Sequence, residues 1–198
     1  MIPRHLIIGS VVMLVAAFVA GAYLWQMRGR VKQMESSAAY SRPLAPPVQG
    51  PTEPVTLYVA FDDPGVLRAQ GANIPLPAGR QQRAQELLSA LLDLYLRKSS
   101  PHPLAPGSEI REIYLVDPGL AVIDLNAAFA NGHRSGVLVE ELTVASLTET
   151  LAANIPGIAR LKILVDGKER ETLAGHADLS CFYDVSAVNQ LAGQLAAP

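Results

Sequence analysis

The longest apolar stretch of the chain, residues 6–27, contains no charged side chain. A helix rises about 1.5 Å per residue, so about 20 apolar residues cross the hydrocarbon core of a bilayer. Tyr23 and Trp25 lie near the end of the stretch, as in an interfacial aromatic belt. The pattern therefore predicts a transmembrane anchor in residues 1–27, with membrane contact from Leu6 to Met27. A signal peptide cleaved near Ala20-Gly21-Ala22 is the alternative that the pattern leaves open.

The charges that flank the anchor give a weak indication of its orientation. Arg28, Arg30 and Lys32 follow it, whereas Arg4 and the terminal amine precede it. By the positive-inside rule this difference favours a cytosolic location for the rest of the chain, although long domains translocate despite flanking charge. The charge pattern alone leaves the orientation open.

Residues 28–54 are rich in proline and poor in large apolar side chains. A stretch of this composition cannot bury enough apolar surface to form a core. Proline also favours an extended and semi-rigid backbone. We therefore expect a linker between the anchor and a folded domain at residues 55–184.

Within that domain, apolar positions recur with period 2 in some segments and with helical period in others. Strands are predicted at 55–61, 110–116, 120–125, 159–165 and, as a short return, at 169–173. Helices are predicted at 81–98 and 135–154. Irregular backbone is expected at 62–80, 126–134 and 175–184, and residues 185–198 are expected to be a flexible, frayed tail.

The order of these elements, β-α-β-β-α-β with a short final β, predicts an α+β fold. Asp117-Pro118-Gly119 is a turn sequence that joins its flanking strands as an antiparallel hairpin. We expect a two-layer sandwich in which both helices cover one face of a small mixed or antiparallel sheet.

Composition excludes several classes of protein. The formal net charge is −2 and the basic residues are interspersed with acidic ones, so a nucleic-acid partner is not expected. Cys181 is the single cysteine, which excludes an internal disulfide and a cysteine-based zinc site. His102, His133 and His176 are scattered and lack the spacing of metal ligands. No metal and no cofactor are therefore predicted.

Four groups of residues remain as candidates for a functional site. Asp62-Asp63 is a carboxylate pair, but neighbouring residues on a strand point apart, so a turn cap or solvated turn is favoured. Glu141 falls on the apolar face of its helix, where nearby free N–H groups and the helix dipole favour negative charge. Asp124 ends a strand and is expected to cap the next loop. In Gly175-His176-Ala177-Asp178, an imidazole is placed to meet a carboxylate or to bind loop backbone.

No Gly-x-Ser-x-Gly motif and no phosphate-binding glycine loop occurs in the sequence. Catalysis needs a positioned acid, base, nucleophile or metal, and none of the four groups forms a recognised combination. No catalytic residue is predicted, and the chain is expected not to be an enzyme.

Residues 55–184 resemble the GerMN domain of sporulation and spore-germination proteins. The resemblance lies in short signatures in a fixed order: VTLYVAF, LSALLDLYL with PLAPGSEI, LVDPGLAVIDLNAAF, and ELTVASLTETLAANIPGIARLKILVDGK. VIDLNAAF and LVDGK are the most characteristic. It implies an extracytoplasmic, periplasmic domain with an α/β sandwich similar to ring-building modules, and it provides no catalytic residues to transfer.

Two hypotheses follow. In the first, the chain is a single-pass, membrane-anchored envelope protein without enzymatic activity. Its domain would bind an envelope protein or another copy of itself, with the exposed edge of the small sheet as a contact surface. In the second, the domain binds or hydrolyses peptidoglycan, which requires Glu141, Asp124, His176 and Asp178 to meet in one concave site.

Overall fold

The computed structural model describes residues 50–195, so the predicted anchor and most of the predicted linker lie outside the described residues. The described strands are β1 (Thr52–Phe61), β2 (Val66–Pro75), β3 (Ile110–Val116), β4 (Leu120–Leu125), β5 (Arg160–Val165) and β6 (Tyr183–Asp184). The helices are α1 (Arg80–Tyr95), α2 (Ala127–Gly132), α3 (Val137–Asn154) and α4 (Val185–Leu195). No helix among these residues combines the length and the apolar composition needed to cross a bilayer.

The strands form two sheets. β1 and β2 pair as an antiparallel hairpin, and the second sheet has the order β3-β4-β5-β6. β4 and β5 are parallel, whereas β3 and β6 are antiparallel to their neighbours. The predicted mixed α+β class is therefore confirmed, although the first predicted strand belongs to a sheet of its own.

The β3–β4 hairpin forms at the predicted turn sequence. Gly119 has a φ of +76°, a conformation that glycine adopts without steric cost. A Cβ at this position would lie 2.6 Å from the Gly157 carbonyl oxygen. The Gly119 carbonyl accepts hydrogen bonds from Ala159 N (2.7 Å) and Arg160 N (3.0 Å). The turn thus also fixes the start of β5 beside β4.

Helix α3 is the centre of the domain. All its residues from 142 to 151 are buried, so the helix has no solvent-facing side over this stretch. The hairpin β1–β2, α1 and α4 pack against it. A helix that is covered on all sides has no single core-facing stripe, so the one apolar face expected from the sequence does not describe α3 over this stretch.

Four segments differ from the sequence predictions. Residues 66–75, predicted as irregular, form β2, which pairs with β1 along its full length. Residues 127–132 are helical because the Asn126 side chain caps α2 by accepting from Phe129 N at 2.8 Å. The predicted strand 169–173 makes only an isolated bridge, Thr172 to Asp178. Residues 185–195, predicted to fray, form α4.

Helix α4 is held by packing. Val188 and Ala192, one helical turn apart, are 6% and 8% exposed. Both belong to the core that includes the largest buried side chains of the domain, among them Leu57, Leu87, Ile123, Phe129, Leu142 and Leu151. A short amphipathic helix of this kind gains its stability from tertiary contact.

Candidate functional site

A buried carboxylate joins the start of α3 to the 174–177 segment. Glu140 is fully buried, and its Oε2 accepts hydrogen bonds from Ala174 N (3.0 Å), His176 N (3.0 Å) and Ala177 N (2.9 Å). Its Oε1 accepts from Gly136 N at 3.1 Å, at the N-terminus of the helix. We call this arrangement the Glu140 cluster. A single anion thus satisfies four backbone donors.

The hydrogen bonds outweigh the effect of burial on this carboxyl. Burial raises the pKa of Glu140, but the bonds from Ala177 N, the His176 side chain, Ala174 N and His176 N lower it to about 2. His176 Nδ1 lies 3.0 Å from Glu140 Oε1. The carboxylate that accepts from free N–H groups near the start of the helix is therefore Glu140 and not Glu141, which is half-buried and lies next to apolar residues of α3 and α4. The imidazole of His176 faces Glu140 and not Asp178, whose Oδ1 accepts from Ser180 N (2.8 Å) and Ser180 Oγ (2.6 Å).

Next to the Glu140 cluster, a cavity of about 200 Å³ lies between α3, α4 and the 176–183 segment. Its polar lining comprises Glu141, His176, Asp178 and Tyr183. Its apolar lining comprises Val144, Ala145, Ala177, Val188 and Leu191. We call this cavity the α3–α4 cleft. Three of the four groups that the second hypothesis requires therefore meet in one concave place.

Asp124, the fourth group, is not part of the cleft. It is 6% exposed, and its Oδ1 accepts from Gly167 N at 2.7 Å. Its Oδ2 lies 3.6 Å from Arg111 Nε. Asp124 therefore fastens the turn after β5, while Asn126 performs the loop-capping role predicted for Asp124.

A second polar cluster lies on the next turn of α3. His102 Nδ1 is 2.6 Å from Asp62 Oδ1, and His102 Nε2 is 2.7 Å from Thr143 Oγ1. On the other side of the hydroxyl, His133 Nε2 is 2.7 Å from Thr143 Oγ1, and His133 Nδ1 is 2.7 Å from the Arg134 carbonyl oxygen. Arg134 Nη1 donates to Asp62 Oδ2 at 2.6 Å. We call these five residues the His–Thr–His cluster.

Around Thr143, the cluster has fewer donor protons than acceptor atoms. Both Nδ1 atoms face acceptors, so each neutral ring places its proton there and leaves Nε2 as an acceptor. The Thr143 hydroxyl then has one proton for two Nε2 atoms and for the Val139 carbonyl oxygen at 3.1 Å. One added proton on a ring would complete the bonds between the side chains.

Burial nevertheless keeps the rings neutral. It lowers the pKa of His102, although the hydrogen bond and the charge of Asp62 act in the opposite direction. It also lowers the pKa of His133, against a smaller opposing contribution from the bond to the Arg134 carbonyl. The cluster is therefore a buried network that resists protonation near neutral pH.

The order carboxylate, imidazole, hydroxyl in Asp62, His102 and Thr143 is the order that activates a nucleophile in hydrolases. Here the hydroxyl-bearing Thr143 is 1% exposed and lies in the body of α3. Sequence reasoning missed the cluster because Asp62 and His102 are 40 positions apart and His102 and Thr143 are 41 apart. The sequence could have revealed such a cluster only through histidines at helical spacing or through a recognised motif.

Within residues 50–195, no group of three or more His, Cys, Asp or Glu side chains is arranged to hold a metal ion. Cys181 is exposed, and its Sγ donates to the Asp178 carbonyl oxygen at 3.4 Å.

Polar side chains of α3 cover the edge of β1 that faces away from β2. Asn154 accepts from Thr56 N (3.2 Å) and donates to Thr56 O (2.7 Å). Thr150 Oγ1 accepts from Tyr58 N at 2.9 Å, and Ser146 Oγ donates to Tyr58 O at 2.5 Å. Ser146, Thr150 and Asn154 are spaced four apart, so they lie in one row along the helix.

The row continues with a tyrosine from α1. Tyr95 Oη accepts from Ala60 N at 2.8 Å and lies 2.5 Å from Ser146 Oγ. Burial raises the pKa of Tyr95 to about 12. On the second sheet, the side chain of Gln81 bonds the outer edge of β3 at Ile113 O and at Leu115 N. Side chains therefore occupy the outer edges of both β1 and β3.

Within residues 50–195, no hydrogen-bonding group covers the outer edge of β2. The backbone N–H and C=O groups of even-numbered β1 residues point to α3. Those of the odd-numbered residues, such as Leu57 opposite Gln70, therefore bond to β2. The backbone groups of Ala69 and Gly71 consequently point away from β1. Residues 68–71 are exposed, and no described hydrogen bond satisfies the amides of Ala69 and Gly71.

These features define a class: a small α+β domain with a paired hairpin, a mixed sheet and a central helix that is buried over residues 142–151. Residues 56–171, more than half of the chain, match the family model Germane, which is described as sporulation and spore germination. The chain belongs to the Germane family, and the resemblance to GerMN domains predicted from the sequence is confirmed.

The solved structures that are similar to the chain include the following three. A Clostridium perfringens protein described as a lipoprotein is 22% identical, with a TM-score of 0.46, and the match covers 72% of this chain and 93% of that one. The tandem GerMN domains of the Bacillus subtilis sporulation protein GerM are 20% identical, with a TM-score of 0.48 and coverage of 65% and 44%. The first GerMN domain of the same protein is 19% identical, with a TM-score of 0.43 and coverage of 64% and 92%. No curated protein sequence matches the chain.

Proposed function

We propose that this chain is a non-enzymatic, membrane-anchored protein of the cell envelope whose Germane domain lies outside the cytosol. The domain acts as an assembly or interaction module and contacts an envelope protein or a second copy of itself through the outer edge of β2. In a spore-forming host this role belongs to sporulation or germination.

The observation that carries the proposal is the difference between the strand edges. Side chains bond the backbone of the outer edges of β1 and β3, whereas the amides of Ala69 and Gly71 on β2 have no described partner. An uncovered strand edge is a template for pairing with another chain. The open edge is therefore the surface best suited to a protein partner.

We propose that the domain is not catalytic because its reactive groups are buried or already hydrogen-bonded. The Thr143 hydroxyl, which a His–carboxylate pair would activate, is 1% exposed. The buried Glu140 carboxylate is fully occupied by backbone donors and His176. Each group is committed to holding the fold together.

The proposed anchor strengthens a weak contact. The apolar stretch of residues 6–27 would hold the domain at the membrane through the linker. Tethering raises effective concentration, so an edge contact that is weak in solution becomes significant at a surface.

The test uses the full chain with a C-terminal tag, crosslinked in intact cells and analysed by mass spectrometry. Ala69→Pro removes one outward amide of β2, and Gly71→Lys places a charge at the same edge, where a Cβ meets nothing within 4 Å. Gln70→Ser is the matched control, because it changes an exposed side chain and leaves both outward amides. Circular dichroism confirms that each variant folds.

We expect crosslinks from β2 to an envelope protein or to a second copy in the wild type and in Gln70→Ser, with loss in both edge variants. Crosslinks that persist in folded Gly71→Lys would show that the edge is not the contact. Two results would overturn the wider proposal. One is a C-terminal tag that is protected from external protease because the domain lies in the cytosol, and the other is substrate turnover by the full chain.

A further inference from the structure

The lining of the α3–α4 cleft is partly apolar and partly acidic. Val144, Val188 and Leu191 contribute apolar side chains, and Glu141 and Asp178 contribute carboxylates. No lysine or arginine belongs to its described lining. The cleft therefore combines apolar surface with two carboxylates and no cationic Lys or Arg side chain in its described lining.

Neighbouring charges add to this imbalance. Glu140 places a further carboxylate directly behind His176. Lys162 bonds Glu169 (3.1 Å) and the carbonyl oxygens of Leu179 (3.0 Å) and Ser180 (2.7 Å). The hydrogen bonds from Ser180 lower the pKa of Asp178, and the charge of Lys162 contributes to the same shift. Glu141 has no such lysine or arginine neighbour in the described lining. Burial and the nearby negative groups, Asp178 and the two glutamates among them, raise the pKa of Tyr183. A cation is the charge that this environment favours.

The size of the cleft narrows the choice of occupant. At about 200 Å³ it is smaller than the roughly 300–1,000 Å³ typical of pockets for drug-sized ligands. A single long side chain with an apolar stem and a cationic end matches both the volume and the charge. Tyr183 adds an aromatic ring to the lining, and aromatic rings attract ammonium and guanidinium groups.

We propose that the α3–α4 cleft binds a lysine or arginine side chain of a partner protein. The stem lies against Val144 and Val188, and the cationic end is placed between Glu141 and Asp178. This inference rests on the proposed binding role of the domain, but it concerns a different surface from the edge of β2.

The test is a titration of the full chain in lipid nanodiscs, followed by methyl NMR of Val144, Val188 and Leu191. The probes are lysine and arginine capped by acetyl and methylamide groups. Capped norleucine is the neutral control with a similar stem, and butylammonium represents a free amine. We expect saturable shifts of the cleft methyls with a capped basic residue and much smaller shifts with norleucine.

Two variants assign the charge. Glu141→Gln and Asp178→Asn are each expected to weaken the binding of the capped basic residue by about threefold to fivefold, the upper part of the range for an exposed ion pair. Asp93→Asn on α1, also an exposed aspartate, is the matched control and should leave the affinity unchanged. Glu141→Gln keeps the proposal testable if Asp178→Asn disturbs the turn at Ser180.

Equal shifts with norleucine, or unchanged affinity in Glu141→Gln, would overturn the cation site. Tighter binding of butylammonium than of either capped residue would overturn the assignment to a protein side chain. Gly71→Lys, which tests the edge of β2, should bind the capped residues like the wild type, so failure of one surface does not imply failure of the other.

Discussion

The two polar clusters on the first turns of α3 respond differently to burial, because one keeps a charge and the other stays neutral. In the Glu140 cluster, one carboxylate accepts hydrogen bonds from four backbone amides, so its acceptor sites are filled. In the His–Thr–His cluster, the single proton of Thr143 faces three acceptors. The first cluster is stable as an anion, and the second is stable as a neutral network because burial opposes the proton that would complete it.

The comparison shows that burial alone does not decide the state of a titratable group. Burial acts against the charged form in both clusters. In the Glu140 cluster the oriented amides outweigh it, and the pKa falls to about 2. For His102 and His133 the opposing contributions are smaller, and burial decides the direction.

The largest expected effect is the loss of the anion. In Glu140→Ala, the amides of Ala174, His176 and Ala177 lose their acceptor, and we expect the free energy of unfolding to fall by about 3 kcal/mol. Urea unfolding measures the change. Glu141→Ala, the neighbouring half-buried carboxylate, is the control and should change stability by less than about 0.5 kcal/mol. Equal effects of the two variants would contradict the structure.

Lowering the pH should reduce the stabilising contributions of the two clusters in different pH ranges. The pKa of Glu140 lies below its ordinary value of 4.5, so its contribution is present above that pH and is lost towards pH 2, by about 3 kcal/mol in total. For the imidazoles the unfolded chain binds more protons below the ordinary pKa of 6.5, so stability already begins to fall there.

Urea unfolding between pH 8 and pH 3 tests both windows. Glu140→Gln should reduce the slope below pH 4.5 and keep the decline below pH 6.5. A wild-type protein whose stability is constant from pH 7 to pH 5 would show that the imidazoles are not held neutral by burial.

The smallest effect is expected from hydroxyl groups on α3. Thr143→Val removes the group shared by His102 and His133, and we expect a loss of about 1–2 kcal/mol. Thr148 is buried too, but among the described residues its hydroxyl has no hydrogen-bond partner. Thr148→Val should therefore be neutral or stabilising by up to about 1 kcal/mol. Thermal unfolding of the two variants gives the comparison, and a reversed order would refute the assigned network.

Local pattern predicted those parts of the fold in which each segment carries its own signal. Alternating apolar residues gave strands β3 and β4 with their bounds, and Asp-Pro-Gly gave the hairpin between them. Strand β2 was missed because residues 66–75 are mostly exposed and contain Gly71. It exists because β1 supplies a full ladder of partners, which is a property of the pair.

The candidate site shows the same division. Sequence reasoning identified His176, Asp178 and a glutamate near the start of α3 as chemically notable, and these groups do meet at one cleft. It selected Glu141 and not Glu140 because the segment that buries Glu140 lies far away in the sequence, so the periodicity of α3 alone carried no sign of it. The amides that hold Glu140 come from residues 34 to 37 positions away.

The sequence by itself determined the family, the α+β class and the elements whose residue periodicity is local. The tertiary structure alone decided which glutamate is an anion, which histidines share a hydroxyl and which strand edge stays open. The physical reason is that these properties depend on donors and acceptors from distant segments, and a one-dimensional pattern of polarity does not contain their geometry.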